Sequence, residues 1–88
     1  MKKKWKRNRK QYSPREKHDY HFDCMGSPAR HGIKFGSPRS AYSWGFHGGW
    51  TGRNNIDMFD DYGERSKEAY RRGYRNGGKE KLKLVYKD

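Results

Sequence analysis

The chain has 88 residues, room for one small domain at most, and a formal net charge of +12 at pH 7. An excess of this size repels itself unless a polyanion neutralises it; nucleic acid is the first such partner to consider and an anionic membrane the next. The membrane reading is weak, because no apolar run approaches the roughly 18 residues that a span needs, and a single cysteine, Cys24, excludes an internal disulfide.

Residues 1–36 are expected to form a basic, largely disordered arm. Within it, residues 1–18 hold nine Lys or Arg against one Glu, with no 3.6-residue apolar period. The Lys-rich start resembles the first part of a signal peptide, but no hydrophobic stretch follows, so a cytoplasmic location is expected. His18, His21 and Cys24 are spaced by three, and His31 follows. Four such groups could complete a tetrahedral zinc site, although the usual paired cysteines are missing, so exposed imidazoles and a spare thiol are the simpler expectation and no metal is assigned. Gly26-Ser27-Pro28-Ala29 and Gly36-Ser37-Pro38-Arg39 are turn signals ten residues apart. The second also starts a helix, with Ser37 as N-cap and Pro38 in the first turn.

Residues 37–78 read as a domain of two helices, about 38–52 and 63–77. Ala41, Gly45 and Gly49 recur every four residues, with Tyr42, Phe46 and Trp50 beside them. Ala69, Gly73 and Gly77 repeat the spacing 28 residues later, flanked by Tyr70 and Tyr74. Each interior glycine costs a helix about 1 kcal/mol relative to alanine, so a compensating contact is required. Small residues at four-residue spacing give a flat stripe on which two backbones can approach closely. The predicted fold is therefore small and all-α: an antiparallel two-helix hairpin packed through Ala41, Gly45 and Gly49 against Ala69, Gly73 and Gly77. The acidic turn between the helices supplies Asp61 and Glu64, spaced as a capping box for the second helix. Gly77-Gly78 is the expected stop. Residues 79–88 form a basic tail in which Lys81-Leu82-Lys83-Leu84 alternates like a strand, while Leu82, Val85 and Tyr86 suit a continuing helix.

Residues 41–53 read Ala-Tyr-Ser-Trp-Gly-Phe-His-Gly-Gly-Trp-Thr-Gly-Arg, and Arg65-Ser66 is followed by Tyr70 and Gly73-Tyr74-Arg75. In order and spacing this resembles the ribosome modulation factor family over roughly residues 38–78. The chain departs from the family in carrying Tyr70 and Tyr74 where tryptophan is favoured, and residues 1–36 have no counterpart in the family pattern. The resemblance implies binding to small-subunit ribosomal RNA and the pairing of inactive ribosomes.

The residues themselves suit RNA. Phosphates need Lys and Arg, and unpaired bases need flat faces to stack on. Candidate contacts are Lys2, Lys3, Lys4, Lys6, Arg7, Arg9 and Lys10 in the arm, then Arg39, Arg53, Arg65, Arg71, Arg72, Tyr74 and Arg75 around the helices. Arginine gives bidentate, shaped contacts where lysine acts as a point charge, so specific binding is expected from the helices and general attraction from the arm. No cofactor motif and no rigid catalytic constellation is found, and the chain reads as a non-enzyme. The alternatives are a general nucleic-acid-binding or condensing protein, and a small protein that targets another protein.

Overall fold

A computed structural model describes residues 12–86. These form three α-helices and two short 3-10 helices, with no strand among the described residues. Helix α1 spans Pro14–Gly26, α2 spans Pro38–Thr51 and α3 spans Glu64–Tyr86. The 3-10 helices are Pro28–His31 and Ile56–Tyr62.

Helix α1 lies inside the stretch expected to be disordered, and its start is written in the sequence. Ser13 Oγ accepts from the Glu16 amide and the Glu16 carboxylate accepts from the Ser13 amide, a complete capping box, with Pro14 in the first turn. No apolar stripe signals α1 because its inner face is built largely from histidines. Helix α2 begins as expected: Ser37 is the N-cap, and its Oγ accepts from the Ser40 amide at 3.3 Å.

The two glycine-striped helices pack against each other, but they run parallel rather than antiparallel. At their N-terminal ends, Ser66 Oγ donates to the Gly36 carbonyl at 2.6 Å. At the other end, Lys81 Nζ donates to the Trp50 carbonyl at 3.2 Å. The contact itself is reciprocal. Gly45 faces the Tyr70 carbonyl oxygen, and Gly73 faces that of Tyr42; four residues on, Gly49 faces Tyr74 and Gly77 faces Phe46. A Cβ at any of these four glycines would overlap the opposing carbonyl. Exchanging the helices maps each pair onto its mate, so the 28-residue repeat becomes a quasi-two-fold axis running along the pair.

The connection between the helices makes this direction feasible. A 14-residue helix is about 21 Å long, and residues 52–63 reach that far without being fully stretched. The connection folds back as a 3-10 helix whose Phe59 is fully buried with Ala41, Ala69 and Tyr70. Asp61 therefore lies within this 3-10 helix, and Gly63, at φ 98°, directly precedes α3. The expected Asp61–Glu64 capping box does not form. The acidic segment instead holds α3 through Asp60, whose carboxylate meets Lys67 Nζ at 2.8 Å.

Nor does the second helix stop at Gly77-Gly78. Gly77 is required in the middle of α3 by the Phe46 backbone, and the helix continues to Tyr86. The tail beyond residue 78 is thus helical through its Leu82-bearing stretch. Helix α1 crosses one side of the α2–α3 pair, and the Phe59 connection covers the other. Lys17 of α1 meets Glu80 of α3 at 3.0 Å, and Arg39 of α2 donates to the Tyr20 hydroxyl at 3.2 Å.

Gly45→Ala and Gly73→Ala should each destabilise the fold by about 1–3 kcal/mol, because backbone stands where the methyl must go. Gly78→Ala, whose nearest neighbour would be the Gly49 carbonyl at 3.9 Å, should instead be neutral or stabilising by up to about 1 kcal/mol. Urea melts of the three variants measure the contrast.

Candidate nucleic-acid interface

Helix α3 has one face that no other element covers among the described residues. Its contact stripe, Gly73 and Gly77, lies on α2, Glu80 meets α1, and Lys67 and Tyr70 meet the connection. The opposite side carries Arg65, Arg72, Arg75 and Lys79, all exposed. Arg65, Arg72 and Lys79 are seven residues apart, two turns, so they form one line along the helix. Among the described residues none of these four has a carboxylate within 4.0 Å. Arg71 differs: it meets Glu64 at 3.2 Å and Glu68 at 3.3 Å. Exposed pairs of this kind are worth roughly 0–1 kcal/mol, weak enough to yield to a phosphate.

Beside this line, Asn54, Ile56, Tyr70, Arg71, Tyr74 and Arg75 border a groove of about 280 Å³. The Tyr70 hydroxyl accepts from the Asn55 amide at 2.7 Å, which pins the connection against α3 and fixes the groove wall. Tyr74 is half-buried and stacks on Tyr70 with centroids 6.3 Å apart. A half-exposed ring between two guanidinium groups can stack a base while the guanidiniums hold its phosphates.

Of the predicted contacts, the structure brings Arg71, Tyr74 and Arg75 together around the groove, while Arg65 and Arg72 stand on the line along α3, round the helix from Tyr74. Arg53 follows Gly52, the left-handed residue that ends α2, and is exposed in the turn but does not border that groove. Arg39 is separate, since it stands at the far end of α2 and binds Tyr20 of α1. Lys2, Lys3, Lys4, Lys6, Arg7, Arg9 and Lys10 lie outside the described residues. Sequence reasoning missed Lys79, placed in a tail rather than on the helix, and missed Asn54 and Ile56, which only the folded-back connection brings to Tyr74.

The histidines considered for zinc have other partners. His18 Nε2 lies 2.9 Å from His47 Nδ1, and its ring stacks on Trp50 with centroids 4.6 Å apart. His21 Nδ1 lies 2.9 Å from Ser43 Oγ, with the ring on Phe46. His31 hydrogen-bonds Asp23 at 2.6 Å, and Cys24 is buried. Among the described residues no three His, Cys, Asp or Glu side chains are grouped to hold a metal ion. Nor is any described helix long and apolar enough to cross a membrane.

Comparison with protein-family models gives no match, and neither curated proteins nor solved structures show a similar chain.

The histidine layer between α1 and α2 makes stability depend on pH. Burial pushes the His21 imidazole down to about 4, with His18 and Arg39 adding repulsion. Burial also lowers His18, where Asp19 opposes the shift, and His47, next to His18 and Arg53. Unfolded histidines protonate near pH 6.5. Between that value and about 4 the unfolded chain binds more protons, so stability is full above pH 6.5 and falls as pH drops. The melting temperature should therefore decline from pH 7 to pH 5, above the carboxylate range. His21→Gln should make the decline shallower in thermal melts followed by circular dichroism.

Proposed function

We propose that this chain is a cytoplasmic, ribosome-associated RNA-binding protein that modulates translation by binding small-subunit ribosomal RNA. The observation that carries this reading is the outer face of α3, where Arg65, Arg72, Arg75 and Lys79 stand without carboxylate partners among the described residues and Arg75 borders the Tyr74 groove. Phosphate contacts along such a line supply affinity, and a base stacked on Tyr74 supplies preference for unpaired RNA. The resemblance of residues 38–78 to the ribosome modulation factor family names the partner class and extends the proposal to the pairing of inactive ribosomes. The Lys-rich residues 2–10 add long-range attraction to any polyanion.

A general nucleic-acid-binding or condensing protein is the second reading, favoured by the charge of +12 alone. The two differ in whether shape matters. A condensing protein needs only charge, whereas RNA seated on α3 senses the planar guanidinium and the ring.

Sedimentation of tagged protein with ribosomes through a sucrose gradient, with and without ribonuclease, tests the proposal. Arg75→Lys keeps the charge but removes the fork and should weaken association. Tyr74→Leu should weaken it about tenfold or more, in line with stacking energies of about 1–3 kcal/mol. Lys2, Lys3 and Lys4 changed together to Arg should leave it unaltered. Equal behaviour of all these variants would favour the condensing protein.

A further inference from the structure

A second groove, of about 390 Å³, opens on the other side of the turn that follows α2. It is bordered by Trp44, His47 and Thr51 of α2, by Arg53 and Asn55 of the turn, and by Met25 of α1. Gly48 lies in its wall for a reason separate from the glycine stripe. A Cβ there would stand 2.6 Å from the Arg53 carbonyl oxygen and 2.7 Å from the Tyr70 hydroxyl. The absence of a side chain lets the turn close onto α2 and sets Asn55 opposite the rings.

The polar groups around this groove fall into two kinds. Some are already engaged. The Thr51 hydroxyl donates to the His47 carbonyl at 3.0 Å, the Asn55 amide N–H is held by Tyr70, and His47 Nδ1 lies against His18. Those bonds fix the walls. Others are unengaged among the described residues: the Asn55 side-chain amide, the exposed Arg53 guanidinium and His47 Nε2. Trp44 is half-buried, held on its edge by Phe35 at a centroid distance of 6.4 Å. The site therefore combines two ring systems, one cation and an amide that can both donate and accept. Among the described residues no carboxylate borders it. A nucleobase with its attached phosphate needs this combination: a face to stack, an edge to pair and a charge to neutralise.

We infer that the Trp44–His47–Asn55 groove receives an unstacked base of single-stranded RNA, with Arg53 on the adjoining phosphate. The inference rests on the proposed RNA-binding function and adds a second subsite to it. Asn54 borders the Tyr74 groove and Asn55 borders this one. A strand passing over the turn thus places one base on each side of it, and the protein prefers unpaired RNA to duplex of equal charge.

The full chain is titrated with a six-nucleotide single-stranded RNA and with an RNA hairpin of the same phosphate count, following tryptophan fluorescence and Kd at moderate salt. The single strand is expected to bind more tightly and to quench emission. Trp44→Phe should remove most of the quench. Asn55→Ser and Arg53→Gln change exposed side chains, so both should melt like the parent yet bind about fivefold more weakly or worse. Undiminished affinity in Asn55→Ser and Arg53→Gln, an unchanged quench in Trp44→Phe, or equal binding of the hairpin would overturn the inference. Arg72→Gln and Arg75→Lys separate the two levels. If they weaken binding while the groove variants do not, the α3 face stands and this subsite falls. If none of the five variants matters, both fall.

Discussion

Everything in this fold depends on two helix backbones approaching so closely that no Cβ fits between them. Four glycines each face a carbonyl oxygen of the other helix, in two symmetric pairs. The hydrogen standing where each Cβ would be points at that oxygen, the geometry of Cα–H···O contacts worth about 0.5–1 kcal/mol each. That gain is of the same order as the helix propensity each glycine gives up. A chain with nine Leu, Ile, Val and Phe residues cannot rely on aliphatic bulk to hold two helices together. It holds them with backbone surface and uses its rings to close the flanks, as Tyr70 and Phe59 do on one side and Phe46 with His21 on the other.

The close pair also decides what is left open. Helices this near leave shallow flanks, and a single added element is enough to cover each. Helix α1 fills one flank with histidines, aromatic in shape but able to hydrogen-bond to Ser43 and His47 of α2. The connection fills the other with Phe59. With both flanks occupied and α2 behind it, α3 keeps only its outer face, and there the basic residues of the second repeat are displayed.

Much of the contact stripe was legible because it is local. Ala41, Gly45, Gly49 and their counterparts at 69, 73 and 77 declare a face by spacing alone, and Ser37-Pro38 declares a start. Direction was not legible from the stripe, since small residues every four positions serve a parallel and an antiparallel pair equally. The clue lay in the connection: 12 residues is more than antiparallel neighbours usually need and enough to run back along a helix. Helix α1 carried a readable signal in Ser13-Pro14 and Glu16, masked by the lack of an apolar period. Gly77-Gly78 looked like a terminus because a stop and a close approach use the same residue. As for the candidate site, its arginines could be chosen from charge and position, and five of them with Tyr74 do fall around α3 and its neighbouring turn. The groove walls from Asn54, Ile56 and Trp44 could not, since they are set by tertiary folding of the connection.

The parallel arrangement has an electrical consequence. Peptide dipoles in α2 and α3 point the same way, so partial positive charge gathers at one end of the pair and partial negative charge at the other. The sequence answers at both ends. Asp60, Asp61 and Glu64 lie where α3 begins, and Lys79, Lys81 and Lys83 lie where α2 has ended, with Lys81 seated on a terminal carbonyl. Formal charges outweigh the half-charges they offset. At the helix starts those carboxylates share the surface with Arg39, Arg65 and Lys67, whereas Lys79, Lys81 and Lys83 face only Glu80 among the described carboxylates of α3's last turns, so the described domain is more basic at its helix ends than at its helix starts. In the field of a polyanion it experiences a torque as well as an attraction, and it arrives with the basic end leading.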